Sequence, residues 1–123
     1  MVVGVLQFEL HIPDAQSLKD KRRVVKSLRD RLHREHLVSI AEIGELETLN
    51  MAMMGIAVAG SDGARIGRVL DTIDAKLRAL TDAELGSTRR ELIHGQAIDA
   101  EPTEELDADA IASEMLGRAG DTS

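Results

Sequence analysis

Hydrophobic and polar residues alternate from Val2 to Ile12. Leu6, Phe8, Leu10 and Ile12 fall on one parity, and Gln7, Glu9 and His11 on the other. A period of two marks a strand with one buried face. Pro13 ends it, and the period then changes. At 100° per residue, Leu18, Val24, Val25, Leu28 and Leu32 fall on one stripe, which predicts an amphipathic helix opening at Ser17. Ser17 begins an S-x-x-D sequence, a weaker relative of the capping box, and acidic Asp20 suits the positive end of a helix.

Val38 to Ile43 reads as a short second strand, and Gly44 to Glu47 as a turn. Leu49 to Ala59 is apolar on both parities, as expected of a strand at the centre of a sheet. Ser61 or Asp62 caps a second helix, whose buried face is Ile66, Val69, Leu70, Ile73, Leu77 and Leu80. Leu85 to Ile93 is a final, more polar strand, and Gly95 closes the domain. The order βαββαβ predicts an α+β fold of the ferredoxin-like kind, a four-stranded antiparallel sheet with two helices on one face. The right-handed crossover rule selects that arrangement over its mirror image.

At 123 residues the chain has room for one domain, residues 1–95, and its 43% hydrophobic share supports a modest core. It has no cysteine, hence no disulfide, thiol nucleophile or cysteine-bound metal. No run approaches the roughly 18 consecutive apolar residues of a spanning helix. The first ten residues carry no basic leader, so a cytoplasmic protein without a membrane partner is expected.

Charge divides the chain. Residues 1–95 hold equal numbers of basic and acidic side chains, whereas residues 96–123 hold Arg118 against eight carboxylates, so the net −7 lies wholly in that segment. Its composition reads as a disordered acidic tail with one short helix near 103–116. Against this, Ser17 to Arg34 holds eight basic side chains and two aspartates, a local +6. Lys19, Arg22, Lys26, Arg29 and His33 form a band away from the apolar stripe, flanked by Arg23 and Arg34. Such a face has two readings. It is a solvated surface with cationic stems covering apolar edges, or it meets phosphate, for which guanidinium forks on a helix are well suited.

Other candidates are weaker. Lys21 falls inside the apolar stripe and must snorkel, pair with a carboxylate or act on something, structural roles being favoured. Gln7, Glu9 and His11 face outward from the sheet, where single-stranded RNA recognition needs aromatics. The chain has no Trp or Tyr and one Phe, so that mode is disfavoured and the face is left for dimerisation or a protein partner. Met51, Met53 and Met54 could serve such a surface but suit core filling better. His33 and His36 have the spacing of two metal ligands without an evident third, and near a helix C-terminus they complement its negative end. Gly60–Gly63 precedes a helix but lacks the Lys-Ser/Thr of a phosphate-binding loop. No nucleophile, base and acid grouping is legible, so no enzyme activity, metal or cofactor is expected.

The segment LHIPDAQSLKDKRRVVKSLRDRL, followed by VSIAEIGE and GIAVAGSD, resembles the YlxP-like family, small bacterial proteins carrying domain of unknown function 503. The resemblance spans about residues 2–95, and Leu10 to Arg22 is its most specific part. It implies a ferredoxin-like fold and a gene neighbourhood among translation and ribosome-maturation factors, near initiation factor two and ribosome-binding factor A. It implies no assigned enzyme activity. The family commonly has a Trp where the third strand begins; Leu49 stands there in this chain, so any aromatic contact from that position is lost.

The expectation is therefore a non-enzymatic accessory factor of translation or ribosome maturation. It binds ribosomal RNA or a ribosomal subunit through Lys19, Arg22, Arg23, Lys26, Arg29 and Arg34. The physical motive is the +6 helix; the direction toward the ribosome comes only from the resemblance. The alternative is a homodimeric protein-interaction module whose basic helix meets an acidic partner.

Overall fold

A computed structural model describes residues 1–96 and residue 98. The elements are β1 (Val2–His11), α1 (Leu18–His36), β2 (Ser39–Gly44), β3 (Met51–Gly60), α2 (Gly63–Arg78) and β4 (Glu84–His94). The strands lie in the order β2-β3-β1-β4, with every neighbouring pair antiparallel. This is the ferredoxin-like arrangement expected from the hydrophobic pattern. The acidic segment and its expected helix near 103–116 lie outside the described residues, apart from Gln96 and Ile98.

The core follows the register of the two central strands. Leu6, Phe8 and Leu10 of β1 lie opposite Ile56, Met54 and Ala52 of β3. Val25, Leu28 and Leu32 of α1 and Ile66, Leu70, Ile73 and Leu77 of α2 close over them. Gly4 lies where α2 comes nearest the sheet, and a Cβ there would collide with Ile66. The methionine cluster divides by parity: Met54 is fully buried among the core residues, while Met51 and Met53 are half-buried on the opposite face of β3.

Helix starts follow their predicted chemistry. Ser17 Oγ accepts the Asp20 backbone N–H at 3.1 Å, and the Asp20 carboxylate accepts from Gln16 N–H at 3.1 Å. The reciprocal bond thus reaches one residue further back than in a full capping box. Asp62, not Ser61, caps α2, its carboxylate accepting from Ala64 N–H at 3.0 Å. β3 starts two residues later than its apolar run, at Met51. The Asn50 side-chain amide is held at 3.1 Å by the carbonyls of both Ile12 and Ala15, which leaves Leu49 in the loop.

Removing the hydroxyl in Ser17→Ala should cost about 1 kcal/mol and lower Tm by about 4–8 °C. Thermal melting followed by circular dichroism checks this; an unchanged Tm would show that the cap contributes nothing.

Candidate functional site

All six cationic residues singled out on the first helix, Lys19, Arg22, Arg23, Lys26, Arg29 and Arg34, are exposed on α1. The helix buries the opposite stripe, Lys21, Val25, Leu28 and Leu32. At 100° per residue the six occupy a sector of about 140°. Among the described residues, Lys19, Arg22, Arg23, Arg29 and Arg34 have no carboxylate within 4.0 Å. Lys26 is tied to Asp30 at 2.7 Å, and its ammonium holds the Asp30 carboxyl below its ordinary pKa. The face is therefore a row of five free cations and one exposed pair. Such a pair contributes little to stability and opens readily.

One flank of this face borders the free edge of β2. Arg29, Asp30 and His33 line an open cavity of about 470 Å³ whose other walls are Leu37, Val38, Ser39 and Ile40. His33 Nδ1 lies 2.8 Å from the Val38 carbonyl oxygen, which joins the end of α1 to the start of β2. Leu37, in the left-handed conformation at φ 53°, ends the helix and is 86% exposed. An apolar side chain so open beside an unpaired strand edge gives the cationic flank an apolar neighbour.

The other flank meets α2. Arg31 and Lys76 both reach Glu35, at 3.0 and 3.3 Å, and hold its carboxyl below the ordinary range. Lys76 Nζ also lies 2.8 Å from His36 Nε2. Burial, then the Lys76 charge, lower the His36 pKa. The two histidines thus serve local structure, and among the described residues no group of three or more His, Cys, Asp and Glu could hold a metal ion.

Arg65 of α2 was not among the predicted residues. It lines a second cavity with His36 and Leu37, at the same end of the domain, and has no carboxylate within 4.0 Å among the described residues. Its exposure follows from the helical period. Its proximity to α1 depends on how the helices pack, which one-dimensional spacing does not carry.

Lys21 has a structural role. It is 1% exposed, and its ammonium donates to the carbonyls of Glu45 and Thr48 while lying 3.0 Å from Glu42 Oε2. That oxygen is itself buried, and the Lys21 ammonium is its ion-pair partner. One cation thus fastens α1 to the β2–β3 loop. The opposite sheet face carries Val5, Gln7, Ala41, Gly55 and Ala57 around a shallow trough. Phe8 is buried on the helical side. No described aromatic is available on that face to stack a base.

Truncation in Lys21→Ala should cost about 3–5 kcal/mol, because it empties a fully buried site, removes the donor from two loop carbonyls and leaves the partly buried Glu42 carboxylate unpaired. Urea unfolding of Lys21→Ala, Glu42→Leu and the double variant forms a cycle. The double variant should lose less than the sum of the singles; strict additivity would refute the pairing. A second expectation concerns His36. Its NMR titration midpoint should lie below the ordinary histidine value and rise in Lys76→Met. The folded pKa is depressed, so His36 contributes stability above the unfolded-state pKa of about 6.5, lost as pH falls through the folded value. An unmoved midpoint in Lys76→Met would remove Lys76 as a cause.

The described helices contain no segment long and apolar enough to cross a membrane. Residues 3–90 match the family model described as a protein of unknown function, DUF503. The chain is 33% identical over 90 residues to the uncharacterized protein YlxP of Bacillus subtilis (strain 168), covering 73% of this chain and 98% of that one. Among solved structures, a de novo designed protein with a ferredoxin fold aligns with TM-score 0.48 and 14% identity, over 85% of this chain and 97% of the design. A mutant of SnoaB, a cofactor-independent oxygenase from Streptomyces nogalater, aligns with TM-score 0.39 and 16% identity, over 81% and 97%. The family match over most of the folded part, together with the one-third identity to YlxP, establishes that this chain belongs to the YlxP-like DUF503 family.

Proposed function

We propose that the chain is a non-enzymatic accessory factor of translation or ribosome maturation, acting in the cytoplasm, that binds ribosomal RNA or a ribosomal subunit through the outward face of α1. The observation that carries this reading is the row of five exposed cations without carboxylate partners among the described residues. Four of the five are arginines, which favours bidentate phosphate contact over a merely solubilising surface. The domain that bears them has no net charge, so bulk attraction to nucleic acid does not account for the patch. The ribosomal direction comes only from the gene neighbourhood that the family resemblance implies.

On this reading the contacts are to phosphate and sugar, and the shape of a structured RNA selects the target rather than its base sequence. Affinity falls with salt, each lost phosphate contact lowering the log–log slope by about 0.7–0.9. Replacing Arg22 and Arg29 with Glu should therefore weaken binding at least tenfold at low salt and flatten the slope by about 1.4–1.8. Fluorescence anisotropy with a labelled ribosomal RNA fragment across a salt series checks this. Co-sedimentation with ribosomal subunits, with and without nuclease, identifies the target. Unchanged binding by the folded double variant would exclude this face, and binding that survives nuclease would point to an acidic protein partner instead.

A further inference from the structure

We propose that the chain's own acidic segment, around Glu101–Asp109, docks on the α1 flank beside β2 and masks the phosphate-binding face at low ionic strength. The regulatory consequence rests on the RNA reading above; the contact itself does not. Three observations support it.

The first is charge. The domain, residues 1–95, is neutral and the following segment carries the whole −7, while the α1 stretch carries +6. Within the segment, Glu101, Glu104, Glu105, Asp107 and Asp109 are concentrated in nine residues. This is the chain's densest acidic stretch, tethered to a domain whose densest basic stretch has arginines without a carboxylate partner among the described residues.

The second is where the tether leaves the domain. β4 ends opposite the start of β1, with His94 paired to Val2 and Gly95 N–H donating to the Met1 carbonyl at 2.7 Å. β2 begins at Ser39, opposite Ala57, which is itself opposite Val5. The tether therefore leaves from the same end of the sheet at which β2 starts and α1 stops. Three strand spacings separate β4 from β2, about 14 Å, and the offset along the strands is about three residues, or 10 Å. Ten residues of extended chain span about 33 Å. Residues beyond Gln96 thus reach the start of β2 without strain, and Glu104, Glu105 and Asp107 lie eight to eleven residues past Gln96.

The third is chemical fit. The cavity beside β2 combines the Arg29 cation and His33 with the apolar side chains of Leu37, Val38 and Ile40; its one carboxylate, Asp30, is already paired with Lys26 at 2.7 Å. Leu106 lies between Glu105 and Asp107. In composition the Glu-Leu-Asp run suits this surface, an apolar side chain for the apolar walls and carboxylates for the Arg29 and Arg22 cations. The free edge of β2 offers backbone groups alongside. A short tether gives a local concentration of order millimolar, so a weak contact is populated in cis. Screening over about 10 Å at 0.1 M salt makes it reversible by ionic strength.

The test uses the full-length chain and a full-length variant with Glu101→Gln, Glu104→Gln, Glu105→Gln, Asp107→Asn and Asp109→Asn. Without RNA, at 25 mM salt, amide resonances of Arg22, Arg29, Leu37 and Ser39 should differ between the two proteins and converge at 0.5 M. The variant should also bind the ribosomal RNA fragment three- to tenfold more tightly at 25 mM salt, with the advantage gone at 0.5 M. Identical spectra, or differences confined to β4 and α2, would overturn the docking. Spectral differences with equal RNA affinities would overturn the masking. If the spectra differ at α1 and neither protein binds RNA, the contact stands and the RNA reading fails.

Discussion

The buried ammonium of Lys21 is the constraint on which the position of α1 depends. A charged group placed in an apolar stripe costs several kcal/mol in desolvation unless its hydrogens are taken up and its charge is met. Here both conditions are satisfied by one segment of chain: Glu42 supplies the charge, and Glu45 and Thr48 supply carbonyls. The same contacts satisfy two loop carbonyls and compensate the left-handed backbone of Glu45, at φ 60°. Rotating α1 by one residue, about 100°, would bury Arg22 in place of Lys21 and lose all three contacts. The polar clamp thereby fixes which face of α1 points outward, a matter the apolar stripe alone decides only loosely.

Lys21 and Asn50 act at the same end of the domain. Lys21 holds the β2–β3 loop, and Asn50 holds the β1–α1 loop through the Ile12 and Ala15 carbonyls. Both are single side chains replacing missing backbone pairing where no strand continues. At the other end the connections are tighter, with Leu37 ending α1 two residues before β2 and Asp62 capping α2 two residues after β3. The domain therefore has one end shaped by side-chain clamps and one shaped by caps. The outer face of α1 spans both.

Much of this was legible in the chain. The change from period two to period 3.6 at Pro13, the apolar run of β3 and the Ser17 cap are local signals, and all produced the elements they predict. The six exposed cations were legible for the same reason, since a helical period separates outward from inward positions. The partners of Lys21 were not. Its position in the stripe announced a conflict, but Glu42, Glu45 and Thr48 lie more than twenty residues away and meet it only after the strands register. The cavity beside β2 was equally hidden, because it arises from the angle between a helix and a strand edge. The delayed start of β3 had a different cause. Asn50 lies within an apolar run, and its amide is claimed by another loop, which local propensity cannot weigh.

On the proposed function helix α1 is used twice, and the two uses do not share residues. Its inner stripe, with Lys21, Val25, Leu28 and Leu32, carries the fold, while its outer sector makes no contact that the fold needs. Arg22, Arg29 and Arg34 have no intramolecular carboxylate among the described residues, so their charges neither stabilise the domain by pairing nor are neutralised by it. Like charges on one helix face repel at i, i+4 spacing and disfavour the helix slightly. A domain with no net charge gains nothing in solubility from concentrating its cations there. On the proposed function, the small cost of that face to the fold is offset by what it meets outside. The separation also makes the proposed function and stability independently testable: on that proposal, changes at the outer sector alter binding without disturbing the core, whereas any change at Lys21 alters both.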